Sequence, residues 1–430
     1  MKKLFSLLTA LLLVFLAACS SGTSNGDGGS KKGTTEIDFY FPVAVGGDVA
    51  KIVDNLVADF EKENPDIKVN ARYGGSYSET MTQVMAAVQG GNPPELAVLF
   101  SIDLFTLREN DVIEEMTPLF DKKYFDDFYG AFMANSKVGD KVWSLPFQRS
   151  TIVLYYNKDA FKKAGLNPDA PPKTWDELVD YGKKLTVNGG KDQWGLEIPS
   201  TGYQYWMTQA LALQTEKNIM SEDGKKTYFN APYTKEALQF YLDLSKKHKV
   251  MPEGTIEWAT VPSDFLSGRT AMMYHTTGNL TNVKTNANFD FGVAYLPANN
   301  QYGSPTGGGN IYMFKGVPKE NKKAAIKFMK FLTEPERVAQ WSIDTGYVAT
   351  RKSAYETDKL KKYVSDFPQA VIAREQLEYA DSELATYQNG EVQKIFNDAI
   401  QAVLTGKSSV DESLDKAQKD AEKVLKPFQD

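Results

Sequence analysis

Between Ile37 and Phe100 the chain passes twice from a strand-like to a helix-like pattern and back, and no other feature constrains its fold as much. Ile37-Asp38-Phe39-Tyr40-Phe41 reads as a short strand. Residues 48–63 follow as an amphipathic helix with Ile52, Val53, Leu56 and Phe60 on one face, and Pro65 ends it. Ile67 to Ala71 alternates as a second strand, and Gly74-Gly75 turns the chain. Ser76 with Glu79 forms a capping box that opens a helix with Met81, Val84, Met85 and Val88 on its apolar face. Gly90 and Gly91 close that helix, and Glu95 to Phe100 is strand-like again. Such a βαβαβ run predicts an α/β fold on a parallel sheet, with a ligand at the strand-to-helix edge. Further on, 142–147 and 151–157 are two extended segments in tandem, and 270–274 and 311–314 are shorter strands. Helices are expected from a capping box at Thr174–Glu177, over 234–247, after a cap at Thr333–Glu336, over 391–404 and from Val410 to about Leu425.

The N-terminus is of a different kind. Lys2 and Lys3 precede an apolar stretch from Leu4 to Leu16, too short to span a membrane, so residues 1–18 read as a secretory signal. It ends in Leu16-Ala17-Ala18-Cys19, which resembles the bacterial lipobox, in which the cysteine is lipidated. Residues 19–35, rich in Gly, Ser and Thr, are a flexible tether. The chain has 430 residues and this one cysteine, which excludes an intrachain disulfide and a cysteine-held metal cluster. With two histidines in all, neither a metal nor a cofactor is expected. A formal charge of −6 argues against nucleic acid as a partner. Aromatic residues make up 12%, enough to raise the question of a stacking surface.

Four later blocks carry a specific resemblance: Leu154-Tyr155-Tyr156-Asn157-Lys158-Asp159 through Gly165 to Thr174-Trp175; Phe265-Leu266-Ser267-Gly268-Arg269 through Met273; Phe331-Leu332-Thr333-Glu334-Pro335-Glu336 running into Thr345-Gly346-Tyr347; and Leu404-Thr405-Gly406-Lys407. Together they resemble the extracellular solute-binding proteins of bacterial ABC importers, the group that includes maltose-binding and glycerol-3-phosphate-binding proteins. The resemblance covers residues 37–430 and implies a two-lobed α/β fold of the type II periplasmic-binding kind, with the ligand in a cleft between lobes. Lobe one would be 36–148 and 270–318, lobe two 149–269 and 319–430. By position in the glycerol-3-phosphate branch it implies ligand contacts at Tyr77, Ser150, Thr276, Gly307, Gly308 and Tyr347. Two positions depart: Phe100 stands where that branch has an acid for hydroxyl groups, and Gln393 where it has an arginine for phosphate. Arg149, next to Ser150, is a candidate substitute cation.

The residues point the same way on their own terms. Tyr77 lies in the first turn of a helix, where free N–H groups favour ligand oxygens. Gly307-Gly308-Gly309 lets backbone approach a ligand, and it is no P-loop because Asn310-Ile311 follows. Tyr77 and Tyr347 could equally be surface aromatics. Trp143, Trp206, Trp258 and Trp341 are core or ligand residues, with Trp258 the best ligand candidate because its stretch is polar and irregular. His275 is as much a structural as a ligand residue.

An exported glycoside hydrolase is the rival class. Asp103, Glu114, Asp264 and Asp344 supply acids, but nothing pairs them across a cleft, and no nucleophile elbow occurs. A surface adhesin would call for repeats, and none occurs. The expectation is therefore a non-enzymatic, monomeric receptor on the outer face of the cell membrane. It would be held there by lipid on Cys19, bind a sugar or a glycerol phosphate or phosphodiester, and deliver it to ABC permease subunits.

Overall fold

The computed structural model describes residues 33–46 and 48–429, and Thr34–Asp430 form one compact unit. The signal, Cys19 and nearly all of the tether lie outside the described residues. The βαβαβ start is as the pattern requires: β1 (Thr35–Phe41), α1 (Val49–Glu63), β2 (Ile67–Tyr73), α2 (Tyr77–Gln89) and β3 (Leu96–Phe100), with β1 parallel to both β2 and β3. Strand alternation puts Ile37, Phe39, Leu96 and Val98 in one core and Tyr40, Ala97 and Leu99 in another across the sheet. Ser76 caps α2 reciprocally with Glu79.

The tandem segments near residue 150 merge into one strand, Leu145–Asn157, all thirteen residues of which are buried. Its first half, with Leu145 and Phe147, packs in the core of β1–β3, and its second half, Ile152 to Tyr156, in a larger core of helices. Ser304–Met313 runs antiparallel beside it and also against β3. The sheet order is β2, β1, β3, Ser304–Met313, Leu145–Asn157, Met272–Thr276. These two long strands carry the chain between the two cores. The strand expected at 311–314 is longer because the glycine run 307–309 is part of its ladder.

The cores divide the chain differently from the expected lobes. Met272–Thr276 pairs with Ile152–Tyr156, and Leu280, Val283 and Leu296 pack in the larger core, so this region does not go with β1–β3. Conversely the helices Lys319–Leu332 and Pro335–Thr345 bring Phe328, Phe331 and Trp341 onto the β1–β3 core. Sequence order could not reveal this exchange, because both helices are amphipathic and fit either sheet face. Two caps also differ. Thr174 accepts from Glu177 N, but Glu177 accepts from Lys173 N instead of closing the box. At the third site Glu334, not Thr333, is the N-cap, and Thr333 Oγ1 bonds back to Met329 O.

Candidate ligand-binding site

A narrow cavity, with only about 30 Å³ of room for water-sized molecules, lies where the two long strands pass between the cores. Its walls are Ala44, Val45, Tyr77, Phe100, Ser150, Tyr203, Trp206, Trp258, Thr276, Gly307, Gly308, Tyr347 and Glu383. They come from both cores, so a bound molecule would touch both. Eight of the ten positions expected to contact ligand are here: Tyr77, Phe100, Ser150, Trp258, Thr276, Gly307, Gly308 and Tyr347.

The aromatic wall is built ring on ring. Tyr77, fixed at the first turn of α2, stacks on Phe100 with centroids 3.9 Å apart, and its hydroxyl donates to Gln148 Oε1 at 3.1 Å. Tyr203 stands edge-on to both Phe100 and Trp258, at 6.0 and 4.5 Å. The two indole N–H groups are spent on backbone: Trp206 Nε1 on Thr306 O at 2.9 Å and Trp258 Nε1 on Ala44 O at 3.4 Å. The second of these bonds reaches from the helical core to the loop after β1. The tryptophans therefore offer the cavity carbon surface only. Burial pushes the Tyr77 hydroxyl well above its ordinary range, with help from Tyr347 and Tyr203, so it stays protonated.

The glycine run makes room for this wall. A Cβ at Gly307 would lie 2.3 Å from the Trp206 ring, and one at Gly309 2.8 Å from Tyr77. At Gly308 the φ of +95° and a Cβ only 1.9 Å from Gln148 O exclude any side chain.

Two expected contacts are not at the cavity. Arg149 is fully buried on the other face of its strand from Ser150, as adjacent strand residues must be. Its NH1 donates to Asn310 Oδ1 at 3.1 Å and its NH2 to Thr306 Oγ1 at 2.9 Å, and burial pulls its pKa down to about 10. It ties the two long strands together and is not among the residues that line the cavity. Gln393 lies on the helix Asn389–Leu404, partly buried, and is not among the cavity residues. His275 is structural: it stacks behind Trp258 at 3.9 Å and meets Trp258 O and Asn279, and burial lowers its pKa to about 3.

Sequence reasoning missed Ala44, Val45, Tyr203 and Glu383, and treated Trp206 as undecided. Tyr203 had a usable signal, since Tyr203, Tyr205 and Trp206 crowd the start of one helix. Glu383 had none. It is 2% exposed; Oε1 accepts from Tyr205 OH at 2.6 Å, while Oε2 is buried without a partner. Burial raises its carboxyl to about 8, against the pull of Tyr205 and Arg149 and with a small push from Asp103. Asn135 holds its backbone in place, donating to Glu383 O and accepting from Glu383 N, each at 3.1 Å.

Two α/β cores joined by long crossing strands, with an aromatic cavity between them, define a two-lobed solute-binding protein. The chain belongs to the bacterial extracellular solute-binding protein family, whose model matches residues 55–368. It is 29% identical over 427 residues to the sn-glycerol-3-phosphate-binding periplasmic protein UgpB of Escherichia coli K12, covering 93% of this chain and 95% of that one. The UgpB structure from Mycobacterium tuberculosis, in complex with glycerophosphocholine, superposes with a TM-score of 0.81 at 24% identity over 92% of this chain and all of that one. Maltose-bound MalE3 of T. maritima gives 0.77 at 25% identity, with coverage of 92% and 100%. The family is one of binding proteins that work outside the cytoplasmic membrane, and its members take small-molecule solutes.

Proposed function

We propose that the protein is the solute-capturing lipoprotein of an ABC importer, and that its solute is neutral or zwitterionic: a carbohydrate or a glycerophosphodiester in preference to glycerol-3-phosphate. One observation carries this reading. None of the thirteen cavity residues is a cation, and the single ionisable acid is Glu383. A dianionic phosphate monoester would meet a carboxyl and hydroxyl groups, with no charge-assisted donor to offset its desolvation. The E. coli relatives are named for glycerol-3-phosphate, so a change of ligand within the branch is part of the proposal. A neutral solute would be held by ring faces and by Ser150, Thr276 and Tyr347 hydroxyls.

The accompanying reading is a monomer anchored through Cys19 on the outer face of the membrane. Its lobes follow the packing: roughly 34–149 with 307–367, and 150–306 with 368–429. Bound solute favours the closed arrangement of the lobes, which the permease receives. Isothermal titration with maltose, glycerophosphocholine and glycerol-3-phosphate tests the ligand class. Tightest binding of glycerol-3-phosphate, lost on Arg149→Ala, would refute it.

A further inference from the structure

We propose that Glu383 meets the solute as a neutral carboxylic acid, donating a hydrogen bond from Oε2 to an oxygen of the bound molecule, so that the cavity favours a solute with an acceptor oxygen at that point and loses its hold in alkaline medium. This rests on the solute-binding reading above and adds to it a specificity-determining residue and a response to pH.

The geometry gives the two carboxyl oxygens different roles. Glu383 lines the cavity and is only 2% exposed. Oε1 accepts at 2.6 Å from the hydroxyl of Tyr205, which is not a wall residue. Oε2 is buried without a partner in the protein and is the oxygen left for the solute. A donor already serves Oε1, so the proton of the neutral acid sits on Oε2. Asn135 fixes the backbone N–H and C=O of Glu383, so binding does not have to order the residue.

The surroundings keep the acid neutral. Nothing in the wall is a cation, and six of its thirteen residues are aromatic. Arg149 pulls on the carboxyl, but its terminal nitrogens donate to Asn310 and Thr306. An ionised Oε2 would be a buried charge without a partner, which a narrow, ring-lined space penalises. The titratable groups that face Glu383 come from every element around it. Tyr203 and Tyr205 stand at the start of the helix Gln204–Thr215, Tyr77 opens α2, Arg149 and Tyr312 lie on the two long strands, and Asp103 follows β3. Burial holds the four tyrosine hydroxyls above their ordinary range and lowers Arg149 only to about 10, so these groups keep one form between pH 7 and 9. Glu383, raised by burial to about 8, changes form in that interval; Asp103, raised by burial to about 7, titrates just below it.

Isothermal titration with maltose and glycerophosphocholine at pH 7 and pH 9 tests this, with circular dichroism to confirm the fold at both. Neither probe gains or loses a proton in that range, so a change in affinity belongs to the protein. With Glu383 titrating near 8 and only its neutral form donating, the probe that binds should bind about tenfold more weakly at pH 9 than at pH 7. Glu383→Gln cannot ionise and keeps an N–H donor, and should reduce that ratio to about twofold or less. A wild-type affinity that is unchanged or higher at pH 9 overturns the proposal. So does a ratio that Glu383→Gln leaves intact, which would assign the titration to Asp103. In either case the solute-binding reading stands. If neither probe binds at pH 7, both fail.

Discussion

Gly307 and Gly308 are neighbours on one strand, yet the structure assigns them separable consequences. Gly308→Ala places a methyl group 1.9 Å from a backbone oxygen, Gln148 O, where real contacts stay above 3.0 Å, and does so at φ +95°. Strain of that kind costs about 1–3 kcal/mol, and overpacking adds about 1–3 kcal/mol. The oxygen belongs to the partner strand, so relief requires the two crossing strands to separate. A loss near 4 kcal/mol would lower the melting temperature by about 10 °C, at about 2–4 °C per kcal/mol for a domain of moderate size. Gly307→Ala has no φ penalty, and its methyl group meets only the edge of the Trp206 ring at 2.3 Å. That ring lines the cavity and must shift to make room, so the expected loss is in affinity: about fivefold or more from about 1–3 kcal/mol of displaced packing, with a smaller change in melting temperature. Scanning calorimetry and isothermal titration on both variants decide the matter. A Gly308→Ala protein that melts within 2 °C (about 0.5–1 kcal/mol) of wild type would refute the strain argument. So would a Gly307→Ala protein that binds as tightly as wild type.

Glu383 is raised by burial to about 8, so its contribution to stability is full below its unfolded value near 4.5 and is lost as pH rises through 8. Arg149, Tyr205 and Asp103 act on it. Glu383→Gln should therefore gain on wild type by up to about 1.4 kcal/mol per pH unit between pH 5 and 8, read as a growing difference in melting temperature. A difference independent of pH would show that the carboxyl is ionised throughout. Cys19→Ala should move the protein from the membrane fraction to the medium or periplasm; retention in the membrane would rule out the lipid anchor.

What could be read from the sequence tracks the range of the interactions involved. The βαβαβ start was legible because periodicity, Ser76 and the glycine pairs are local signals, and each element there is fixed by its own residues. Lobe membership was not, since Phe328 and Trp341 reach their core only after the chain has crossed twice along strands whose partners lie 150 or more residues away. Glu383 had no local signature: an acid following Asp381-Ser382 in an acidic chain reads as surface, and only the packing of Tyr205 and Asn135 around it makes it a buried group.

For Arg149 and Ser150 the local sequence does hold the answer. Both lie within 145–157, an extended run, and side chains on a strand alternate between faces. If Ser150 points into the cavity, Arg149 points away, and the same rule puts Gln148 on the Ser150 face, where it accepts the Tyr77 hydroxyl behind the wall. A guanidinium on the opposite face can still be needed, and the structure shows for what: it joins the Asn310 amide and Thr306 hydroxyl of the neighbouring crossing strand. Asn310 in turn donates to Ser136 Oγ and Ser144 Oγ, so the cation anchors a polar layer between the two cores. The charge thus serves the junction between the two cores, while the cavity beside it is left to ring faces, hydroxyls and one carboxyl. That separation is how the chain keeps a buried arginine one residue from the cavity wall without adding a cation to that wall.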